Sequence, residues 1–464
     1  MTSLIEAVRS GAEGAELLAC EVPESFRAVH LRRADETLFD GESGETGERD
    51  VRRTLHVGEV PMPELAPDEV LIAVMASAVN YNTVWSAMYR PISTFRFLDQ
   101  FARQGGWAAR HSLDHQVVGS DAAGVVVRVG SAVRHWKPGD KVVVNPPYID
   151  EQDPVAQQDG MLTTGMLAWG FETNFGAFGD FCVARATQLV RKPPHLSWEE
   201  AACNTLCLGT AYRMLIGDRG ARITMGDVVL IWGAAGGLGS YAVQLVRQAG
   251  GIAVGVVGSD GKAELLERLG CHLVVNRNDI GLGEDGPGDK PAWKVLGSMI
   301  RKELGEDPHV VFEHVGRATF ETSVNVVRRG GAVVTCGSSS GYQHSYDNRY
   351  LWMKLKRVIG SHGASAWEAV AANRLLSLGL VVPTLSKVYP LDQAPEATRS
   401  VQLNEHEGKV GLLGLATAEG QGVEDWALRK RIGEDRLRLF RDHAAAHPVP
   451  APGDTPAPVS AVGR

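Results

Sequence analysis

The stretch VVLIWGAAGGLGSYAVQLVRQAGG, residues 228–251, decides the fold. Four apolar residues open it as a buried strand, a glycine-rich turn follows, and an amphipathic helical pattern runs to Gly250. IAVGVV, residues 252–257, then reads as a second strand, so strand, turn, helix and strand make a βαβ unit. Gly233, Gly236, Gly237 and Gly239 depart from the plain G-x-G-x-x-G spacing. They nevertheless stand where a strand meets a helix and where backbone must approach a dinucleotide pyrophosphate closely. Amides from Gly237 through Leu238 and Gly239 to Ser240 offer donors and the positive end of the helix dipole. The competing reading is a purely structural turn, and the complete βαβ frame argues against it.

Where the second strand ends the chain reads Gly258, Ser259, Asp260, Gly261 and Lys262. Ser259 and Lys262, with Arg277, suit an adenosine 2′-phosphate and favour NADPH. Asp260 leaves an alternative open, because a carboxylate there also suits the ribose hydroxyl of NADH. Ser259 and Asp260 are equally good caps for the next helix. Thr210, Cys336 and Gly337 join the candidate cofactor-binding set. Later strands HVVFEHVG from His309 and GAVVTCG from Gly331 alternate with helical stretches, giving a Rossmann-type, doubly wound parallel sheet over 209–351.

Working outward, EVLIAVMASAVN from Glu69 reads as a buried strand, and the segment from Val118 to Val144 alternates β-branched runs with glycine turns. Residues 51–208 therefore form a β-rich domain, and the overall class is α/β. Ser197 with Glu200 three residues on is a capping box for an Ala-rich helix. Residues 1–50 read as a helical leader and linker, 352–442 as a return to the first domain, and the Pro/Ala-rich 443–464 as a disordered tail.

The net charge of −8 gives no footprint for nucleic acid or anionic membrane. No apolar run is long enough to span a bilayer and no signal-like start is present, which points to the cytoplasm. Six scattered cysteines suit a reducing compartment. Cys203 and Cys207 alone are close, and without further ligands in a recognisable pattern they read as buried thiols rather than a zinc site.

The runs ASAVNYNTVWSAMYRPIS (76–93), WGFETNFGAFGDF (169–181), WGAAGGLGSYA (232–242) and SGYQHSYDNRYLWMKLKRVIGSH (340–362), then LSKVY and GKVG, occur in one order. Together they resemble the crotonyl-CoA carboxylase/reductases and related 2-enoyl-CoA carboxylase/reductases, from about Val51 to Phe440. The resemblance implies a GroES-like catalytic domain beside the Rossmann domain. Zinc enzymes of the wider superfamily carry G-H-E where this chain has Gly119, Ser120 and Asp121, and their four-cysteine lobe is missing, so no catalytic metal is expected.

The same resemblance implies NADPH-dependent reductive carboxylation: hydride enters Cβ of a 2-enoyl-CoA and the enolate takes up CO2 at Cα, giving a 2-alkylmalonyl-CoA usable as a polyketide extender unit. The family's CO2 site carries over onto Asn82, Phe171, Glu172 and His362, with Asn80 a rival for Asn82 on what reads as the same strand face. Gly363 stands where many members have Phe, and Ala168 where Ile is usual. Both changes remove bulk, and each buried methylene contributes roughly 0.8 kcal/mol, which favours medium-chain substrates such as 2-octenoyl-CoA. A helix-packing need for glycine at 363 is the alternative. The expected assembly is a homotetramer. Competing readings are a plain enoyl-CoA reductase, a crotonyl-CoA-specific carboxylase/reductase, and a non-enzymatic nucleotide-binding protein.

Overall fold

All ten residues of Glu69–Ala78 are buried in the computed structural model, which describes residues 3–41, 49–282 and 291–448. A strand covered on both faces reads as a continuous apolar run rather than an alternation, as EVLIAVMASA does. It pairs antiparallel with Ala122–Val129, with Phe181–Arg185 and with Lys409–Leu413, at the centre of a seven-stranded sheet. Gly124 packs here because a Cβ would sit 2.2 Å from the Ala73 carbonyl.

Three segments differ from the sequence expectation. The first is the supposed leader. Ser25–Arg32 is the middle strand of a three-stranded sheet, antiparallel to His56–Pro61 and to His115–Val117. Before it, Ser3 and Glu6 close a capping box on the helix Leu4–Arg9, whose Leu4, Ala7 and Val8 enter the same core as Leu71 and Trp198. Short elements between Gly-, Glu- and Arg-rich stretches hid this packing from a periodicity reading.

The second is the Rossmann boundary. The six-stranded sheet runs Leu273–Asn276, Ile252–Val257, Val228–Ile231, Val310–Glu313, Ala332–Thr335 and Arg357–Gly360, every neighbour parallel. Arg357–Gly360 lies beyond residue 351, so the return to the catalytic domain begins later. As an edge strand with mostly exposed side chains, RVIG lacks the apolar run that marks the inner strands.

The third is the tail. Leu439–Ala446 is a helix with Phe440 and His443 fully buried, packed in one core with Tyr241 and Val381. Residues 449–464 lie outside the described part. The Ser197/Glu200 capping box is present, but its helix Trp198–Ala202 stops where Asn204 turns its amide onto the carbonyls of Glu200 and Ala201, and Thr205–Leu215 continues as a separate helix. All six cysteines are free, and burial pushes the thiols of Cys203 and Cys207 up to about 12 and about 11. No helix among the described residues is long and apolar enough to cross a membrane.

Candidate active site

The turn after Val228–Ile231 needs its glycines for two measurable reasons. Gly233 has φ +54°, and a Cβ on Gly239 would lie 2.3 Å from the Gly233 carbonyl, so the helix Gly237–Gln248 can begin only against a bare backbone. From the other domain, the Gly408 amide donates to the Ala235 carbonyl at 2.7 Å, and Gly408 bridges Gly236. Its φ of +51° and the approach of the Thr384 carbonyl exclude a side chain at that position. The GKVG run thus closes the catalytic domain onto the turn.

Between them lies a cavity of about 630 Å³. Thr210, Gly233, Gly236, Gly237, Leu238, Lys262, Arg277, Cys336 and Gly337, all expected at a cofactor, line it. Gly239 and Ser259 do not. Gly239 acts through the close packing just described, and Ser259 is the exposed N-cap of Asp260–Leu269 without a side-chain cap bond. Asp260 also stands outside the lining, its carboxylate accepting from the Asn276 amide at 2.9 Å. Burial, helped by Arg277 and opposed by Glu407, lowers the Lys262 pKa. Two neighbouring cations in the cleft, with the Asp260 carboxylate turned to Asn276, suit the extra phosphate of NADPH better than a free ribose hydroxyl.

At the substrate end, Asn80 and Asn82 do not share a strand face. The strand ends at Ala78, Asn80 is the N-cap of the helix Tyr81–Ala87, and Asn82 sits in its first turn. Both ends of the Asn80 amide are engaged, donating to Asp121 Oδ2 at 2.9 Å and accepting from Lys409 Nζ. Asn82 donates through Nδ2 to Ser120 Oγ at 2.8 Å, and Ser120 in turn donates to the Trp169 carbonyl at 2.7 Å. That chain fixes the amide orientation and leaves one N–H of Asn82, while its buried Oδ1 has no protein partner.

Phe171 lines the cavity and leans on Phe97 with ring centroids 6.0 Å apart. Its backbone is committed elsewhere: the carbonyl accepts from Gln116 Nε2 at 2.9 Å and the amide donates to Ala168. Glu172 lies behind the wall, one carboxylate oxygen accepting from the Ala168 amide at 2.8 Å. His362 faces the cavity with its side chain exposed to it, and the surrounding protein, by desolvation, lowers its pKa against the opposing pull of Glu172. Ala168 and Gly363 line the same space. Gly363 has φ +53°, and a Cβ there would meet Met161 Cε at 3.1 Å and Pro147 Cγ at 3.3 Å, so both backbone conformation and space favour glycine.

His406 was not anticipated. It lines the cavity with Nδ1 unpartnered, and burial together with Lys262 and Lys409 lowers its pKa to about 4. Its signal in the sequence is its place two residues before GKVG.

A catalytic zinc does not fit beside Asp121. That carboxylate already accepts from Thr205 Oγ1, the Leu206 amide, Asn80 and the Lys409 ammonium. A dication there would face a buried ammonium, and Ser120 is tied to Trp169.

A GroES-type β domain clasped to a doubly wound dinucleotide sheet, with the cleft between them, defines a medium-chain dehydrogenase/reductase. Residues 66–194 match the alcohol dehydrogenase GroES-like domain family and residues 237–377 the zinc-binding dehydrogenase family. Crotonyl-CoA reductase of Streptomyces collinus is 46% identical over 444 residues, 95% of this chain and 99% of that protein. Crotonyl-CoA carboxylase/reductase of Cereibacter sphaeroides is 37% identical, covering 79% and 85%. The structure of the 2-octenoyl-CoA carboxylase reductase CinF with NADP and 2-octenoyl-CoA is 56% identical, covers 95% of this chain and 99% of that one, and superposes with TM-score 0.91. The CinF apo-structure, from a Streptomyces species, gives 55% and 0.88 over 94% and 99%. This chain belongs to the crotonyl-CoA carboxylase/reductase family. It is an oxidoreductase, and the structures of CinF and of the crotonyl-CoA carboxylase/reductase AntE are complexes with NADP.

Proposed function

We propose that the protein reductively carboxylates a medium-chain 2-enoyl-CoA, 2-octenoyl-CoA being the reference substrate, to the corresponding 2-alkylmalonyl-CoA, without a catalytic zinc. The observation that carries this reading is the convergence of Asn82, Phe171 and His362, distant in sequence, on the cleft that also holds the glycine turn. NADPH, held by the turn amides, Lys262 and Arg277, supplies the hydride that enters Cβ. The electron pair then resides on the enolate at Cα, and a new C–C bond to CO2 leaves the product as a carboxylate.

In this reading the remaining N–H of Asn82 donates to one CO2 oxygen, and the Phe171 ring keeps bulk water from Cα. His362 and Glu172 fix a water at the other oxygen. Lys409 cannot serve as a proton donor to Cα, since its ammonium is spent on Val79, Asn80 and Asp121. Suppressing protonation is what separates a carboxylase from a reductase.

Gly363 and Ala168 line the cavity, and their lack of bulk supports the medium-chain reading. The exposed edge strand Arg357–Gly360, with Trp352, Met353 and Leu355 exposed nearby, supports assembly into a homo-oligomer, a tetramer by family analogy. Six free thiols suit a cytoplasmic location. NADPH oxidation with 2-octenoyl-CoA, with and without saturating bicarbonate, tests the proposal. Acceleration by bicarbonate supports it, and an indifferent rate yielding only octanoyl-CoA leaves a plain reductase.

A further inference from the structure

Away from the cleft, the C-terminal helix Leu439–Ala446 presents His443, with His447 four residues on just past its end, opposite Glu264 of the helix Asp260–Leu269. One ligand atom from each of the three lies within 4.8 Å of the others, the single such group among the described residues. Residues four apart on a helix share a face, which is how paired histidines commonly reach one ion.

The decisive residue is His443. Its side chain is fully buried, and Nδ1 lies 2.7 Å from Glu407 Oε2. A carboxylate at that distance accepts the Nδ1 proton, so Nε2 is left with a lone pair, and Nε2 is buried without any protein partner. Carboxylate, histidine and an unpaired ring nitrogen in line are what a metal-binding histidine requires, the carboxylate setting tautomer and ring orientation. Across from it, His447 Nε2 and Glu264 Oε2 are 3.6 Å apart, near the edge length of a tetrahedron with metal–ligand bonds of about 2.0–2.1 Å.

We propose that His443, His447 and Glu264 bind one divalent transition-metal ion of the zinc type, with water in the fourth position. Two imidazoles and one carboxylate are a borderline donor set suited to such an ion rather than to Ca²⁺ or Mg²⁺. The two rings are stacked, with centroids 4.3 Å apart and planes 21° apart. His447 is exposed and turns to converge on the ion, while His443 stays fixed by Glu407. The ion would fasten the C-terminal helix to the cofactor domain. Through Glu407 it also steadies His406 and Gly408, which line the NADPH cleft.

The test is titration of the chelator-stripped full chain with Zn²⁺ by calorimetry and with Co²⁺ by visible absorption, alongside melting temperature. The expected result is one equivalent bound, tetrahedral Co²⁺ bands and a raised Tm. The surface variants His447→Gln and Glu264→Gln should abolish all three without lowering the metal-free Tm. Glu407→Gln should weaken binding by about 10–100-fold. No binding by the wild-type chain, or binding unchanged in both surface variants, overturns the proposal. Bands of thiolate character would likewise overturn it by assigning the metal to cysteine.

Discussion

Lys409 Nζ and Asp121 Oδ2 lie 3.1 Å apart, with side chains 3% and 0% exposed. Burial opposes the ammonium, but Cys207 and Asp121 outweigh it and hold its pKa above the ordinary value. Removing one partner strands the other charge, so Lys409→Met should cost about 3–5 kcal/mol in urea unfolding. Adding Asp121→Asn should recover a large part of that loss. A single variant as stable as the wild type would contradict the pairing.

Lys262 and Arg277 are the cations beside the cofactor end of the cleft. Lys262→Ala should weaken NADPH by about 1.5–3 kcal/mol, roughly ten- to a hundredfold in Kd, and leave NADH nearly unaffected. Fluorescence titration with both nucleotides reads the difference. Equal losses for the two would place Lys262 away from the 2′-phosphate.

Gly363→Phe with Ala168→Ile refills the proposed acyl pocket. Four methylenes separate octenoyl from crotonyl, about 3 kcal/mol at roughly 0.8 each, so the ratio of kcat/KM values should move toward crotonyl-CoA by up to about two hundredfold. Because Gly363 has φ +53°, the Ala168→Ile variant alone is the control free of backbone strain, and it should shift the ratio in the same direction. An unchanged ratio in both would detach these residues from chain length.

Burial lowers the pKa of His30, His195 and His406 to about 4 and that of His111 to about 3. The unfolded chain takes up protons near 6.5, which these folded sites refuse. Stability from this source is therefore complete above about 6.5 and is lost as pH falls toward 4. Urea midpoints should decline steadily across that interval. A flat profile would mean that the histidines are hydrated and near their ordinary values.

How much of this was legible before the structure follows from what each residue does locally. The glycine turn was readable because strand, turn and helix are contiguous, and Glu69–Ala78 because burial on both faces leaves an unbroken apolar run. Ser25–Arg32 and Arg357–Gly360 were not, since each mixes charged or exposed residues with apolar ones and lacks an unbroken apolar run. Asn80 and Asn82 differ in their bonds to Lys409 and Ser120, residues separated from them by 329 and 38 positions. Glu172, expected to hold a water with His362, stands outside the cavity lining with its carboxylate accepting from the Ala168 amide. His406 has no pattern of its own and acquires a place only when Gly408 meets Gly236.

The proposed reaction turns on capture of CO2 by the enolate of a medium-chain substrate. The most direct measurement gives the enzyme equal 2-octenoyl-CoA and crotonyl-CoA with NADPH and isotopically labelled bicarbonate, and identifies the products by mass. Labelled hexylmalonyl-CoA is expected in excess over ethylmalonyl-CoA, with saturated acyl-CoA a minor product that becomes the main one in Asn82→Ala. Unlabelled octanoyl-CoA as the sole product of the wild-type enzyme would contradict it.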